Sequence, residues 1–174
     1  MMIRSMAFVI CLVGATMAWA QNAGPMSVLK KEAGTWDCEV RFYPDPNGQP
    51  TLSKAVETNT MVGDVWMVSD FQGEMAGAAF HGSSQMGYDP QKKKYIGSWI
   101  DSAGPYPTAM EGTYDAAKKT LTIVGIGKDP TGAEMKMKLV TVYKENDTRT
   151  MSMFIESPSG EWMRMMEVDY QRKK

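Results

Sequence analysis

The sequence predicts an all-β domain of about ten antiparallel strands, and three observations predict it. Trp36, Cys38, Val40 and Phe42 alternate strictly with Asp37, Glu39 and Arg41, the period of a half-buried strand. Turn signals then recur at short, regular intervals to the end of the chain, a spacing that fits a sandwich or a barrel. No convincing amphipathic helix interrupts the β runs.

The first twenty residues stand outside that pattern and read as an export signal. Arg4 supplies a positive start, Met6 to Ala15 an apolar stretch, and Ala18-Trp19-Ala20 a cleavage site with small residues at both required positions. The apolar run falls short of the ~20 residues a membrane-spanning helix needs. Phe8-Val9-Ile10 before Cys11 lacks the small residues of a lipoprotein signal. Cleavage after Ala20 leaves 154 of the 174 residues, the usual length of one domain. The expected organisation is a signal over 1–20, a loose lead-in over 21–33 with a short helix near Met26 to Lys31, and one β domain over 34–174. The expected location is the periplasm or the exterior.

Each strand follows from its neighbours. After the first, Pro44-Asp45-Pro46-Asn47-Gly48 breaks the pattern, Asn-Gly being suited to a hairpin's positive φ. Strands are expected at Leu52–Val62 and Asp64–Gly73, with Gly63-Asp64 between them. Met75 to Ala79 reads as a longer loop before Phe80–Tyr88. Tyr88-Asp89-Pro90-Gln91-Lys92-Lys93 and Tyr114-Asp115-Ala116-Ala117-Lys118-Lys119 use one hairpin chemistry twice: an aromatic, an Asp-initiated turn, then lysines. They lead into Tyr95–Asp101 and Leu121–Gly127, with Thr108–Tyr114 between. Met135–Lys144, Arg149–Ser157 and Trp162–Arg172 complete the set.

Composition excludes several classes. The chain has 19 basic against 20 acidic residues, Arg4 leaving with the signal, and its lysines cluster at turns rather than in a basic face for nucleic acid. Cys38 is the one cysteine outside the signal, so no internal disulfide forms there. There is no C-x-x-C-H for covalent haem. No later segment is apolar enough to span a bilayer as a helix.

Gly34-Thr35-Trp36 at the start of the first strand resembles the G-x-W of lipocalins and other calycin barrels. In those families a basic residue of the last strand packs over the Trp, and Arg172 lies in the right part of the chain. Gly34-Thr35-Trp36-Asp37-Cys38, Val56-Glu57-Thr58-Asn59, Val68-Ser69-Asp70-Phe71, Gly87-Tyr88-Asp89-Pro90 and Met110-Glu111-Gly112-Thr113-Tyr114-Asp115 are similar to a bacterial family known as domain of unknown function 1579. The resemblance implies an antiparallel lipocalin-like β-barrel and brings no activity or catalytic residues. Gly34, Trp36 and Arg172 are the structural positions it implies.

Few residues offer chemistry. His81 is the single histidine. It shares a strand face with Ser83 and Gln85, opposite Phe80, Met86 and Tyr88. A lone histidine is most often exposed or hydrogen-bonded; the sharper alternative puts this stripe on a polar cavity wall. Nitrobindin-type haem barrels, of the same broad class, use a histidine near the C-terminus, and none is there. Cys38 reads as a small buried hydrophobe. Met135/Met137 and Met151/Met153 are i, i+2 pairs on single strand faces. Clustered thioethers raise Cu(I), but without nearby His or Cys they fit core packing or a greasy cavity lining. No metal or cofactor is expected. Glu57, Asp70, Asp101 and Glu111 fall inside β runs, where most carboxylates face water.

The leading expectation is a barrel binding a small apolar or amphipathic molecule, with Trp66, Met67, Phe71, Trp99, Met137 and Met153 as lining residues. The facing near Trp66 is ambiguous, because Val65, Met67 and Phe71 are apolar too. The first alternative is an isomerase or lyase using Glu111 with Glu57, Asp101 or His81, which requires at least two of them in one cavity. The second is a non-enzymatic envelope interaction module with a filled core and an exposed apolar patch. The sequence fixes no oligomeric state.

Overall fold

In the computed structural model, described for residues 24–75, 77–129, 131–145 and 147–174, one helix precedes ten strands. The helix is α1 (Met26–Glu32). The strands are β1 (Gly34–Phe42), β2 (Thr51–Val62), β3 (Trp66–Met75), β4 (Ala78–Asp89), β5 (Lys94–Asp101), β6 (Thr108–Asp115), β7 (Thr120–Lys128), β8 (Glu134–Tyr143), β9 (Thr148–Glu156) and β10 (Trp162–Arg172). Each strand pairs antiparallel with the next, and β10 pairs with β1 to close the barrel. The expectation of about ten antiparallel strands in a lipocalin-like barrel is borne out. The expected export signal lies outside the described residues.

Alternation decides what faces inward. In β1 the buried residues are Trp36, Cys38 and Val40, while Asp37 and Glu39 are exposed. Closure leaves no free sheet edge. Both lysine-bearing hairpins adopt one geometry. Asp89 Oδ1 accepts from the amides of Gln91 and Lys92 at 2.8 and 3.1 Å. Asp115 Oδ1 accepts from those of Ala117 and Lys118 at 3.0 and 3.1 Å. Lys93 and Lys119 then take positive φ, 55° and 50°.

Two expectations are corrected. Met75 to Ala79 is not a longer loop: β3 runs through Met75 and β4 starts at Ala78, because Gly77 takes φ 82° and allows a tight reversal. The segment before β1 forms the expected short helix from Met26, and it is packed rather than loose. α1 closes one end of the barrel, with Leu29 fully buried. There Val28 and Leu29 join a cluster with Met67, Met86, Tyr95, Leu121 and Ile123. The Tyr95 hydroxyl donates to the Pro25 carbonyl at 2.7 Å, tying the helix start to β5.

The seam between β1 and β10 is fastened at the same end. Trp36 pairs with Arg172 in register, and the Arg172 guanidinium lies 4.2 Å from the Trp36 ring centroid. Arg172 also donates to the Ala33 and Lys31 carbonyls at 2.6 and 2.5 Å. Gly34 is required beside it: φ is 117°, and a Cβ there would meet Arg172 Nη1 at 2.9 Å.

Candidate functional site: the barrel cavity and its charged floor

The barrel is hollow. A cavity of about 280 Å³ runs along its axis, at the lower end of the range for small-molecule sites. Its wall is dominated by thioethers. Met67, Met75, Met86, Met110, Met135, Met137, Met151, Met153 and Met166 all line it, with Phe71, Phe80 and Trp99. The i, i+2 methionine pairs of β8 and β9 are therefore cavity lining, contributed by strands that pair with each other. Unbranched, polarisable side chains of this kind adapt to irregular apolar shapes.

Aromatic groups mark the end away from α1. Phe80 stacks on Trp99 with centroids 6.5 Å apart, and Phe71 meets Phe80 edge-on at 6.1 Å. Trp99 Nε1 donates to Asp101 Oδ2 at 2.6 Å, and the Ala103 amide donates to the other carboxylate oxygen at 2.9 Å. Gly82 makes room for the indole, since a Cβ at that position would lie 2.1 Å from Trp99.

The opposite end, under α1, is charged. Arg149 is buried, and its guanidinium bridges two carboxylates, donating from Nη1 to Glu32 Oε2 and from Nη2 to Glu57 Oε1. Its plane packs 4.1 Å from the Tyr170 centroid and 4.5 Å from that of Trp36. The Tyr143 hydroxyl donates to Glu32 Oε1. Asn59 Nδ2 donates to Glu57 Oε1 at 2.7 Å and to the Glu32 carbonyl at 3.0 Å. Trp36 Nε1 donates to that same carbonyl at 2.7 Å. Asn59 Oδ1 finds no donor among the described residues. Glu32, Glu57, Arg149 and Tyr170 all reach the cavity wall.

Burial sets the titration of this floor. Glu32 is raised above the ordinary glutamate value by loss of water, opposed by Arg149 and reinforced by the Glu57 charge. Tyr143 and Tyr170 are raised well above the usual phenol range by burial, so both hydroxyls stay protonated. The Cys38 thiol is buried and pushed up to about 12, chiefly by desolvation, so it is an inert hydrophobe rather than a nucleophile.

The residues singled out from sequence fall in three places. Met67, Phe71, Trp99, Met137 and Met153 line the cavity. Trp66 does not: Met67 faces inward, so its neighbour faces outward, where Trp66 is 37% exposed and lies over Gly87. Among the carboxylates, Glu57 is on the floor and Asp101 is at the far end. Glu57 and Asp101 are linked in register through Phe71 and Gly82, three strands apart, or roughly 14 Å along the sheet. Glu111 is on the outer wall, 2.5 Å from Lys94, which holds its carboxyl below the usual range. His81 is also outside, 2.7 Å from Asp70. The His81 stripe is thus not a cavity wall; of the four candidate acid–base residues, Glu57 and Asp101 line the same cavity, while Glu111 and His81 lie outside it. The filled core of the interaction-module alternative is not found either.

Two charged floor residues were not anticipated. Arg149 carried a signal: it extends the Met151/Met153 period by one inward position. Glu32 carried none, since its role depends on where α1 docks. Among the described residues no group of His, Cys, Asp or Glu has the arrangement of a metal site, and no helix is long and apolar enough to cross a membrane.

The profile of a family described as protein of unknown function (DUF1579) matches residues 23–172. The chain belongs to the DUF1579 family. Among curated proteins no match is found. Two solved structures show the barrel of this DUF1579 chain elsewhere. Rv2717c from M. tuberculosis is similar with a TM-score of 0.61 at 12% identity, over 86% of this chain and 98% of that one. The S-type phycobiliprotein lyase CPES from Guillardia theta is similar with a TM-score of 0.58 at 13% identity, over 85% of this chain and 92% of that one. At such identities the likeness is one of fold.

Proposed function

We propose that this DUF1579 chain is an exported binding protein that holds a small apolar or amphipathic molecule inside its barrel. One observation carries the reading: an open cavity of about 280 Å³, walled by methionine and aromatic side chains, with polar groups gathered at its closed end. That division is what orients an amphipathic guest, the apolar wall supplying affinity and the few polar groups direction. A fold neighbour named as a phycobiliprotein lyase supports, by analogy alone, treating barrels of this shape as places where other molecules are handled. The export signal expected over residues 1–20 puts the site in the periplasm or outside the cell.

The test is native mass spectrometry on protein taken from the cell envelope, repeated after denaturation. Extra mass lost on denaturation is expected from wild type. It is expected to be absent from Met137→Trp, which fills the shaft from β8. Equal adduct mass in both proteins would show that the cavity is not the site.

A further inference from the structure

We infer that the occupant of the cavity is an apolar molecule bearing a protonated amine, seated against Glu57. The inference rests on the binding-barrel reading and adds the headgroup. It begins with a charge inventory of the floor. Two carboxylates, Glu32 and Glu57, face one guanidinium, Arg149. Two further cations near this end are engaged elsewhere: Lys30 with Asp64 at 2.7 Å, and Arg172 with Asp147 at 3.0 Å and with backbone carbonyls. The floor therefore offers more carboxylate oxygens than its one guanidinium and its neutral donors satisfy, inside an apolar barrel where an unmet polar group is costly.

The hydrogen bonds locate that excess. Glu32 accepts at both oxygens, from Tyr143 and Arg149. Glu57 accepts from Arg149 and Asn59 at Oε1 only; its Oε2 takes no hydrogen bond from the described residues. Glu57 is 9% exposed and lines the cavity, so this oxygen is the open acceptor of the floor. Ser69 lines the cavity beside it. It pairs with Asn59 across β2 and β3, one inward position along from Glu57. Its hydroxyl makes no hydrogen bond to the described protein atoms, so it is available to a second N–H. The orphaned Asn59 Oδ1 adds to the surplus of acceptors.

An anionic headgroup fits poorly. Arg149 is the cation it would seek, but both terminal nitrogens already bind carboxylates and the plane is packed against Trp36 and Tyr170. A neutral hydroxyl could reach Glu57 but brings a single donor and no charge to the carboxylate. An ammonium supplies donors for both Glu57 and Ser69, and its bond to the carboxylate is charge-assisted.

Three probes of equal chain length separate these cases: n-octylamine, n-octanol and octanoate, titrated at neutral pH and read by tryptophan fluorescence and calorimetry. Octylammonium is expected to bind at least about tenfold more tightly than either of the others. Glu57→Gln is expected to remove that preference while leaving octanol within about threefold. Octanol or octanoate binding as tightly as the amine would overturn the headgroup assignment and leave the binding barrel standing. No binding of any probe would overturn the barrel reading, and this inference with it. The wild-type ranking decides the question even if Glu57→Gln fails to fold.

Discussion

Arg149 and Glu57 lie 92 positions apart in the chain and meet inside the barrel, with Glu32 on the other side of the guanidinium. The pair joins β9 to β2 beneath α1, on a floor shared with Asn59, Trp36, Tyr143 and Tyr170. Breaking such a contact differs from deleting it whole. Arg149→Met leaves two carboxylates buried without their cation and is expected to cost about 3–5 kcal/mol. Combining it with Glu32→Gln and Glu57→Gln should recover a large part of that loss. Urea denaturation of the single and triple variants measures both; a triple variant no more stable than Arg149→Met would show that the charges are not what the single change exposes.

Glu32 ties stability to pH. Its folded value is raised by burial, so the folded protein holds this proton more tightly than the unfolded chain does. Its contribution is fully present below the ordinary glutamate value, about 4.3, and is lost as pH rises through the raised folded value. Wild type should therefore lose stability across that window relative to Glu32→Gln. Urea midpoints collected from pH 4 to pH 8 check the slope; parallel curves would contradict it.

Trp36 and Arg172 form the outer fastening at the same end. Arg172→Ala removes a cation from the indole and two charge-assisted bonds to the Ala33 and Lys31 carbonyls. A loss of about 1–3 kcal/mol is expected. Arg172→Lys should recover only part, since a single ammonium cannot reproduce the planar fork. Thermal unfolding of the three proteins gives the order.

Gly82 and Trp99 control the aromatic end of the cavity. Gly82→Ala places a methyl where the indole now lies, so Trp99 must move. Overpacking of this kind typically costs about 1–3 kcal/mol. The variant should show altered tryptophan emission and weakened probe binding, while a variant on the outer wall, such as Trp66→Phe, should leave probe affinity unchanged.

The methionine wall makes occupancy visible by oxidation. Mild peroxide treatment followed by peptide mass spectrometry should modify Met163, which is exposed, whether or not a probe is present. Cavity methionines such as Met137 and Met153 should be oxidised more slowly once the shaft is filled. Equal rates with and without the probe would place it elsewhere.

The strands and their closure were legible because a period of two survives in almost every segment, and because G-x-W with a terminal arginine points to a closed ring rather than a sandwich. Facing was legible wherever polar and apolar residues alternate, as in β1. It was not legible at Val65-Trp66-Met67, where apolar side chains point both ways and only the register with β4 assigns them. The floor was half legible. Glu57 stood out as a carboxylate in a β run. Its partners Arg149 and Glu32 were hidden, because pairing across 92 and 117 positions is a property of the closed ring and not of any local pattern.

The order of strands around the ring also shapes how the molecule assembles. Nine of the ten pairings join strands adjacent in sequence and can form as local hairpins; only β1 and β10 must find each other across the length of the chain. Closing that long loop carries the largest entropy cost, so ring closure is expected to be the slow, late event of folding. Until it happens the sheet has two bare edges able to recruit other chains. Trp36 and Arg172 face each other across that seam, and α1 docks over the same end. The contacts that fasten this end of the barrel are thus also the latch that ends the period of aggregation risk.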